Sequence, residues 1–438
     1  MFESHLATAA PVVRALQEAA AAAPLAPFGI RLEFYFFALT LIGVALFHHY
    51  TLYVALAGVV VITGYKLAFT SFDVAGHMLG GHGHEGEWGL ILNLLGLLIG
   101  FALLAKHFED SKLPELLPRW LANDWKGGFV LLCLVFVLSS FLDNIAAAMI
   151  GGTVAKVVFK GRVHIGYLAA IVAASNAGGA GSVVGDTTTT MMWLDGVSPF
   201  DVTHAYAGAV VALLFFGVIA ARQQDKHQRI QADPPGSVKL DAGRLVVVAL
   251  ILAGAIITNV MPVNGAQFGF PALGVWVAIL ACALFRAPAW HEIVPAGKGA
   301  VFLLSLVWCA SMMPVEELPT ASWQTALGLG FVSAVFDNIP LTKLAIDQGG
   351  YDWGFLAYAV GFGGSMIWFG SSAGVALCSN FPEGKSVFQW VRHGWHVAVG
   401  YVLGFFALYY LMGWHPHEPH KAEKSIVPAV QAADPKGH

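Results

Sequence analysis

The sequence predicts an all-α polytopic membrane protein built from two inverted-topology repeats, each with three helices, a re-entrant hairpin, a broken helix and a final helix. Composition is the first reason: 57% of the 438 residues are hydrophobic, only 11% are charged, and the mean hydropathy is +0.68, far outside the range of water-soluble domains. The second is an internal duplication. Ser139 and Asp143-Asn144-Ile145, set inside one apolar run, return as Ser333 and Asp337-Asn338-Ile339 in another. Each copy is followed by a Gly-rich interruption of a further apolar segment, Ser175 to Thr187 in the first half and Gly363 to Ser372 in the second, with the same spacing from Gly178-Gly179 to Gly185 as from Gly363-Gly364 to Gly370. Paired polar interruptions of hydrophobic segments point to the central site of a secondary transporter.

Residues 1–31 are Ala-rich with scattered charges and lack the basic start and Leu-rich centre of a secretory signal, so they read as an amphipathic lead-in. Apolar segments follow near 33–48, 51–69, 88–105, 128–158, 165–195 and 202–221, measured against the roughly 20 residues a span requires. These make the first repeat, 32–221. A polar linker, 222–244, contains Pro234-Pro235-Gly236. The second repeat, 245–413, offers segments near 243–262, 270–286, 299–313, 323–345, 353–378 and 394–413 in the same order. Residues 414–438 form a polar, His-containing tail that need not fold.

The fourth segment of each half carries Asp-Asn near its centre, which suits a re-entrant hairpin with its tip lining protein or water rather than lipid. Each half then crosses the membrane five times, and an odd number inverts the second half relative to the first. Charge agrees with this topology, and agrees equally with two full spans over 128–158, which leave the parity up to the linker unchanged. The first hairpin is flanked by Lys106, Lys112, Arg119, Lys126, Lys156, Lys160 and Arg162, and the linker holds Arg222, Lys226, Arg229, Lys239 and Arg244, whereas the turn at 195–201 has only Asp195 and Asp201. The positive-inside tendency places the hairpin flanks and the linker in the cytoplasm and both termini outside.

Asp143, Asp186 and Asp337 therefore sit where hydrocarbon should be. One aspartate at the centre of a spanning helix costs about 2.5–3.5 kcal/mol, so the three require partners. The nearest basic residue to either tip or break is Lys343, six positions past Asp337. A cation or a proton is the simplest partner. Asp143 and Asp186 supply carboxylate oxygens, Ser139, Asn144, Asn176, Ser182, Thr187 and Thr188 neutral ones, and interruption of the helix at Gly178 frees backbone carbonyls, a donor set suited to a small hard cation such as Na⁺ at Asp143, Asn144 and Asp186. A carboxylate withdrawn from water is stable with either a proton or Na⁺ bound, and that competition suffices for antiport. Asp186 is expected to carry the proton, because its counterpart by alignment is Ser371 and only the first break owns an acid.

Other features exclude function classes. A net charge of −4 gives no reason to propose nucleic acid as a partner. Cys133, Cys282, Cys309 and Cys378 lie in apolar segments and read as reduced packing residues, and no nucleophile–base pair or phosphate loop supports an enzyme or a cofactor. His77, His82 and His84, and His415, His417 and His420, are expected in solvated stretches, as are Glu316 and Glu317.

Asp143-Asn144-Ile145, the run from Asn176 through Gly178-Gly179 to Gly185-Asp186 with its Thr tract and Met191-Met192-Trp193, Asp337-Asn338-Ile339-Pro340, and Gly363-Gly364-Ser365 with Gly370-Ser371-Ser372-Ala373-Gly374-Val375 resemble NhaD-type sodium/proton antiporters of the ion transporter (citrate/arsenite permease-like) superfamily. The resemblance implies hairpins facing opposite sides, a scaffold domain that forms a homodimer, elevator-like movement, Na⁺, Li⁺ and H⁺ as transported ions, and a bacterial inner membrane location. It also implies ion-binding or transport roles for Ser139, Asp143, Asn144, Asn176, Asp186, Thr187, Thr188, Ser333, Asp337 and Asn338, with Ser365, Ser371 and Ser372 in the second break. Val183-Val184-Gly185-Asp186 departs from the family's usual Pro before Gly-Asp, and the early acidic residue has no match beyond Asn93. The alternative within the superfamily is a Na⁺-coupled di- or tricarboxylate symporter. Acidic tips disfavour it, because they repel a bound carboxylate unless neutralised.

Overall fold

A computed structural model describes residues 27–417 except 48–49, 82–83, 232–238, 264–265 and 268. Most of the lead-in, the Pro-Pro-Gly of the linker, His82, His420 and most of the tail lie outside the described residues. The first half contains α1 (Leu32–Leu46), α2 (Thr51–Phe69), α3 (Trp88–Asp110), a hairpin of α4 (Trp125–Ser139) and α5 (Asn144–Val158), a broken helix of α6 (Ile165–Gly179) and α7 (Thr187–Leu194), and α8 (Ala205–His227). The second half repeats the order with α9 (Ala242–Val260), α10 (Pro271–Cys282), α11 (Ile293–Ser311), a hairpin of α12 (Trp323–Ser333) and α13 (Asn338–Gln348), a broken helix of α14 (Trp353–Leu356, continued by a π-helical stretch Ala357–Phe362) and α15 (Ser372–Asn380), and α16 (Val387–Met412). Two ladders of paired two-residue strands are the only extended pairs among the described residues.

Six of the described helices are long and apolar enough to cross a membrane, and the hairpin arms and broken halves account for most of the shorter apolar helices. The molecule is an integral, multi-pass membrane protein. Local chemistry explains where the interrupted helices restart. Asp143, Asp186, Asp337 and Ser371 are N-caps whose side chains accept a hydrogen bond from the first turn, so each polar residue that is awkward in lipid satisfies a helix end.

The helices pack as two groups. In one, α1, α2, α3, α9, α10 and α11 contact one another. In the other, both hairpins, both broken helices, α8 and α16 form the rest of the core. Glycines allow the closest approaches: a Cβ at Gly208 would stand 2.5 Å from the Gly404 carbonyl, which joins α8 to α16 at backbone distance. Where the groups meet, α11 lies along α13, and α3 touches α7.

Contacts assign each helix end to a face. At the linker face, Arg244 pairs with Asp110 at 3.3 Å, the Asp241 N–H donates to the Ser111 carbonyl, and the Gln231 N–H donates to the Val158 carbonyl. The Arg286 guanidinium beside Asp241, which caps α9, holds that carboxyl below the usual carboxylate range. At the far face, Lys66 reaches Glu33, Arg31 reaches Glu317 at 3.7 Å, and the Gly350 N–H donates to the His417 carbonyl.

Several expectations are corrected here. α3 runs to Asp110 and α8 to His227, beyond the expected ends, because the polar last turns remain packed. His77 is no solvated loop residue: its Nε2 lies 3.0 Å from Ser311 Oγ and its ring packs on Phe72 and Trp308. His415 and His417 are exposed, as expected, although their backbone N–H groups donate to the Asp352 carboxylate and the Tyr351 carbonyl. Glu316 and Glu317 are exposed as expected, with Glu317 also 3.7 Å from Arg31.

Candidate functional site

Both hairpins turn at the predicted place. α4 ends at Ser139 and α5 begins after Asp143, whose carboxylate accepts the Ile145 N–H at 2.9 Å; α12 ends at Ser333 and Asp337 accepts the Ile339 N–H at 3.0 Å. The two helix breaks lie beside these tips. Asp186 is 2% exposed, accepts the Thr188 hydroxyl at 2.7 Å and the Thr188 N–H at 3.4 Å, and so caps α7 from inside the protein.

The breaks of the two halves are joined through one buried amide. Asn176 on α6 donates from Nδ2 to Ser365 Oγ at 3.0 Å and to Ser371 Oγ at 3.1 Å, both in the second break. Its Oδ1 accepts from Asn144 Nδ2 at 3.1 Å, and the same Asn144 nitrogen lies 3.2 Å from Asp186 Oδ1. Asn144, Asn176, Asp186, Thr188, Ser365 and Ser371 thus form one connected, buried polar cluster drawn from a hairpin tip and both breaks. Gly361 opposes it: a Cβ there would stand 3.0 Å from Asp186 Oδ2.

The remaining predicted residues surround this cluster with different tasks. Ser372 Oγ lies 3.5 Å from Asp337 Oδ2. Thr187, with Asp143, Asp186 and Thr190, borders a void of about 10 Å³ against α3, close to the size one water or a bare ion occupies. The Gly178 carbonyl accepts the Ser140 hydroxyl at 3.1 Å, and a side chain at Gly178 would collide with the Phe136 carbonyl. Ser333 donates to the Val360 carbonyl in the π-helical stretch, so it braces the second hairpin on its break. Asn338 is buried beside its tip. Ser139 is fully buried, and its Oγ has no hydrogen-bond partner among the described residues. Thr189 and Thr190 bond to the carbonyls of Ser182, Val183 and Asp186 and hold the break closed. Ser182 contributes its carbonyl and a local turn, not a hydroxyl to the cluster.

Two residues escaped the sequence reading. Ser140 was hidden beside Ser139 in a serine pair, and Gly361 carries no side chain to notice, although alignment of the breaks sets it opposite Asn176. Asn93, the only polar residue of its segment, is committed elsewhere: it bonds the Gly269 carbonyl and the Ala272 N–H and ties α3 to α10.

Each tip opens on its own cavity. Asp143 lies in a cavity of about 480 Å³ whose walls are mostly apolar, with Lys106, Glu109 and Glu292 among its lining. Asp337, Ser371 and Ser372 border one of about 250 Å³ that also touches Val44, Ala45 and Thr51. Lys106, Glu109 and Glu292, like Ala45 and Thr51, sit at helix ends on the linker side, so both tips are approached from the same face. Among the described residues no cluster of three His, Cys, Asp or Glu could hold a metal; the polar atoms gathered at the tips and breaks are carboxylate, amide and hydroxyl groups.

With this geometry in hand, the sequence profile of the citrate transporter family, CitMHS, matches residues 34–363, which include both tips and the whole first break. The chain belongs to that family. It is a family of transporters, not of enzymes. Relatives include sodium/proton antiporter 1 of Arabidopsis thaliana, 28% identical over 323 residues that make up 64% of this chain and 52% of the relative. The Na(+)/H(+) antiporters NhaD of Alkalimonas amylolytica and Vibrio parahaemolyticus are each 25% identical across 70% of this chain, covering 75% and 87% of their own lengths. The chain spans about half the length of the Arabidopsis antiporter 1.

Proposed function

We propose that this protein is a secondary active transporter that exchanges Na⁺ or Li⁺ for H⁺ across a bacterial inner membrane. The observation that carries the reading is the buried Asp186 carboxylate, held at the junction of both breaks by Asn144 and Thr188 and, among the described residues, reached by no lysine or arginine. An aspartate buried with only neutral hydrogen-bond donors needs a cation or a proton, and the two exclude one another at one carboxylate. The similarity to sodium/proton antiporters agrees with this.

The cycle follows from the layout. Na⁺ enters through the linker-side cavity to Asp143, Asn144 and Asp186, with Thr187 and Thr188 supplying oxygens; Asp337 and Ser372 offer a second acidic position in the other half. The hairpin-bearing group then moves against the α1–α3 and α9–α11 group in an elevator-like step, and the other ion returns. Two inverted repeats, 32–221 and 245–413, joined by a cytoplasmic linker, account for one hairpin ending at the linker face and the other at the far face. The α1–α3 and α9–α11 group would supply the homodimer contact.

Purified protein in liposomes with a trapped pH dye tests this directly. Addition of NaCl or LiCl should move protons, choline chloride should not, and Asp186→Asn should abolish the response while the protein still elutes as a folded species. Silence with every chloride salt, together with Na⁺-dependent uptake of labelled citrate or succinate, would replace antiport by carboxylate symport. Among the described residues that line the two cavities, Lys106 is the one basic residue to receive such an anion, and it is paired with Glu109 at 2.7 Å.

A further inference from the structure

A buried ion-pair cluster that the ion site does not use stands at the face opposite the cavities. Lys343, on α13 between the Asp337 tip and the far face, is fully buried, with Nζ 3.0 Å from Glu87 Oε1 and 2.7 Å from Asp347 Oδ1. Asp347 lies one turn along the same helix, so that contact travels with the hairpin. Glu87 belongs to the other group of helices. It directly precedes α3, it is 5% exposed, and its N–H donates to the carbonyl of His77, whose ring is fixed on Ser311 and Trp308 of α11.

The Glu87–Lys343 contact is therefore a desolvated charge pair across the boundary that must shear if the hairpins move. A buried pair cannot be half-broken cheaply: a charge left without its partner is strongly unfavourable unless water reaches it. Such a contact has two settled states, made and dry or parted and wet, which is what a bistable element requires. Both cavities open at the linker face, and the made pair lies at the opposite end.

We infer that Glu87 and Lys343 position the second hairpin in the linker-side-open state and separate each time the tips turn to the far face, an inference that rests on the alternating-access part of the proposed function. The test reads conformation rather than transport. The four native cysteines are replaced by alanine, and Ala376→Cys, which lines the smaller cavity outside the proposed ion site, reports access of a membrane-impermeant maleimide from the linker side, with no ion gradient. Glu87→Gln and Lys343→Met should each slow labelling at least about fivefold, as a loss of the linker-side-open population requires. The exchanged pair, Glu87→Lys with Lys343→Glu, made together with Asp347→Asn so that the new glutamate does not face a second acid, should restore it to within about twofold of Asp347→Asn alone.

Labelling unchanged in the single variants, or an exchanged pair no better than the singles, would overturn the inference. Should a lone buried charge prevent folding, Glu87→Asp keeps the charge but shortens its reach, and it should give an intermediate rate; wild-type labelling in that variant also counts against the pair. If proton movement does not depend on Na⁺ while labelling still shifts as described, the ion assignment fails and the pair stands.

Discussion

The two halves of the molecule share a skeleton but divide the chemistry unequally. Both have an Asp-Asn tip that caps the second hairpin arm and a Gly-rich break that caps a new helix. Yet at corresponding places the first break has Asn176, Asp186 and Thr188, and the second has Gly361, Ser371 and Ala373. α6 stays α-helical up to its break, while its counterpart widens into a π-helical stretch at Ala357–Phe362, a distortion often found at functional sites. Of the two breaks, the first contributes a carboxylate and the bridging amide; the second contributes space and neutral hydroxyls. Duplication fixed where the helices break, and divergence within the breaks decided which half holds the charge.

The largest effect should come from breaking that asymmetry at its acid. Asn caps a helix about as well as Asp, so Asp186→Asn leaves the α7 cap in place and removes only the charge. Proton movement driven by Na⁺ should fall by at least about 100-fold, which takes the upper end of the about 1.5–3 kcal/mol of a charge-assisted contact and fits a carboxylate that is itself the coupling site. Its counterpart, Ser371→Ala, removes one acceptor from Asn176 and should raise the half-saturating Na⁺ concentration by only about 3–10-fold, the worth of a neutral hydrogen bond. Equal losses from both would show that the halves share the load.

The tips give the next comparison. Asp143→Asn and Asp337→Asn both keep their caps, so a drop in exchange with an unchanged thermal midpoint separates ion handling from helix capping. Asp143 faces the larger cavity and the void shared with Asp186, and its variant should lose more, about 10–100-fold against roughly 10-fold for Asp337, when initial rates are compared at saturating Na⁺.

Space is tested last. Gly361→Ala would set a methyl group 3.0 Å from Asp186 Oδ2, tight enough to shift the carboxylate. Apparent Na⁺ affinity should fall by about fivefold, corresponding to roughly 1 kcal/mol of strain. An unchanged affinity would mean that Gly361 only allows the helix to widen.

Much of this was legible along the chain because lipid punishes polarity. Asp143, Asp186 and Asp337 stand out against apolar runs, and the repeated Gly spacing marks the breaks. The same contrast fails for Gly361, which matters by having no side chain, and for Ser140 and Ser139, adjacent serines of which only the first bonds to the neighbouring break. Asn93 is the opposite case: it is polar in a span, yet its amide anchors the start of α10.

The sequence by itself determined the membrane class, the order of helices, the two interruptions and the three acids, since each of these is a local conflict between residue type and solvent. Only the tertiary structure decided which interruptions meet. Asn176 reaches Ser365 and Ser371 across almost two hundred residues, Lys343 finds Glu87 rather than an aspartate at a tip, and both cavities open on one face. Hydropathy fixes how deep a residue lies, and contact between distant segments at the same depth depends on how the two groups of helices pack.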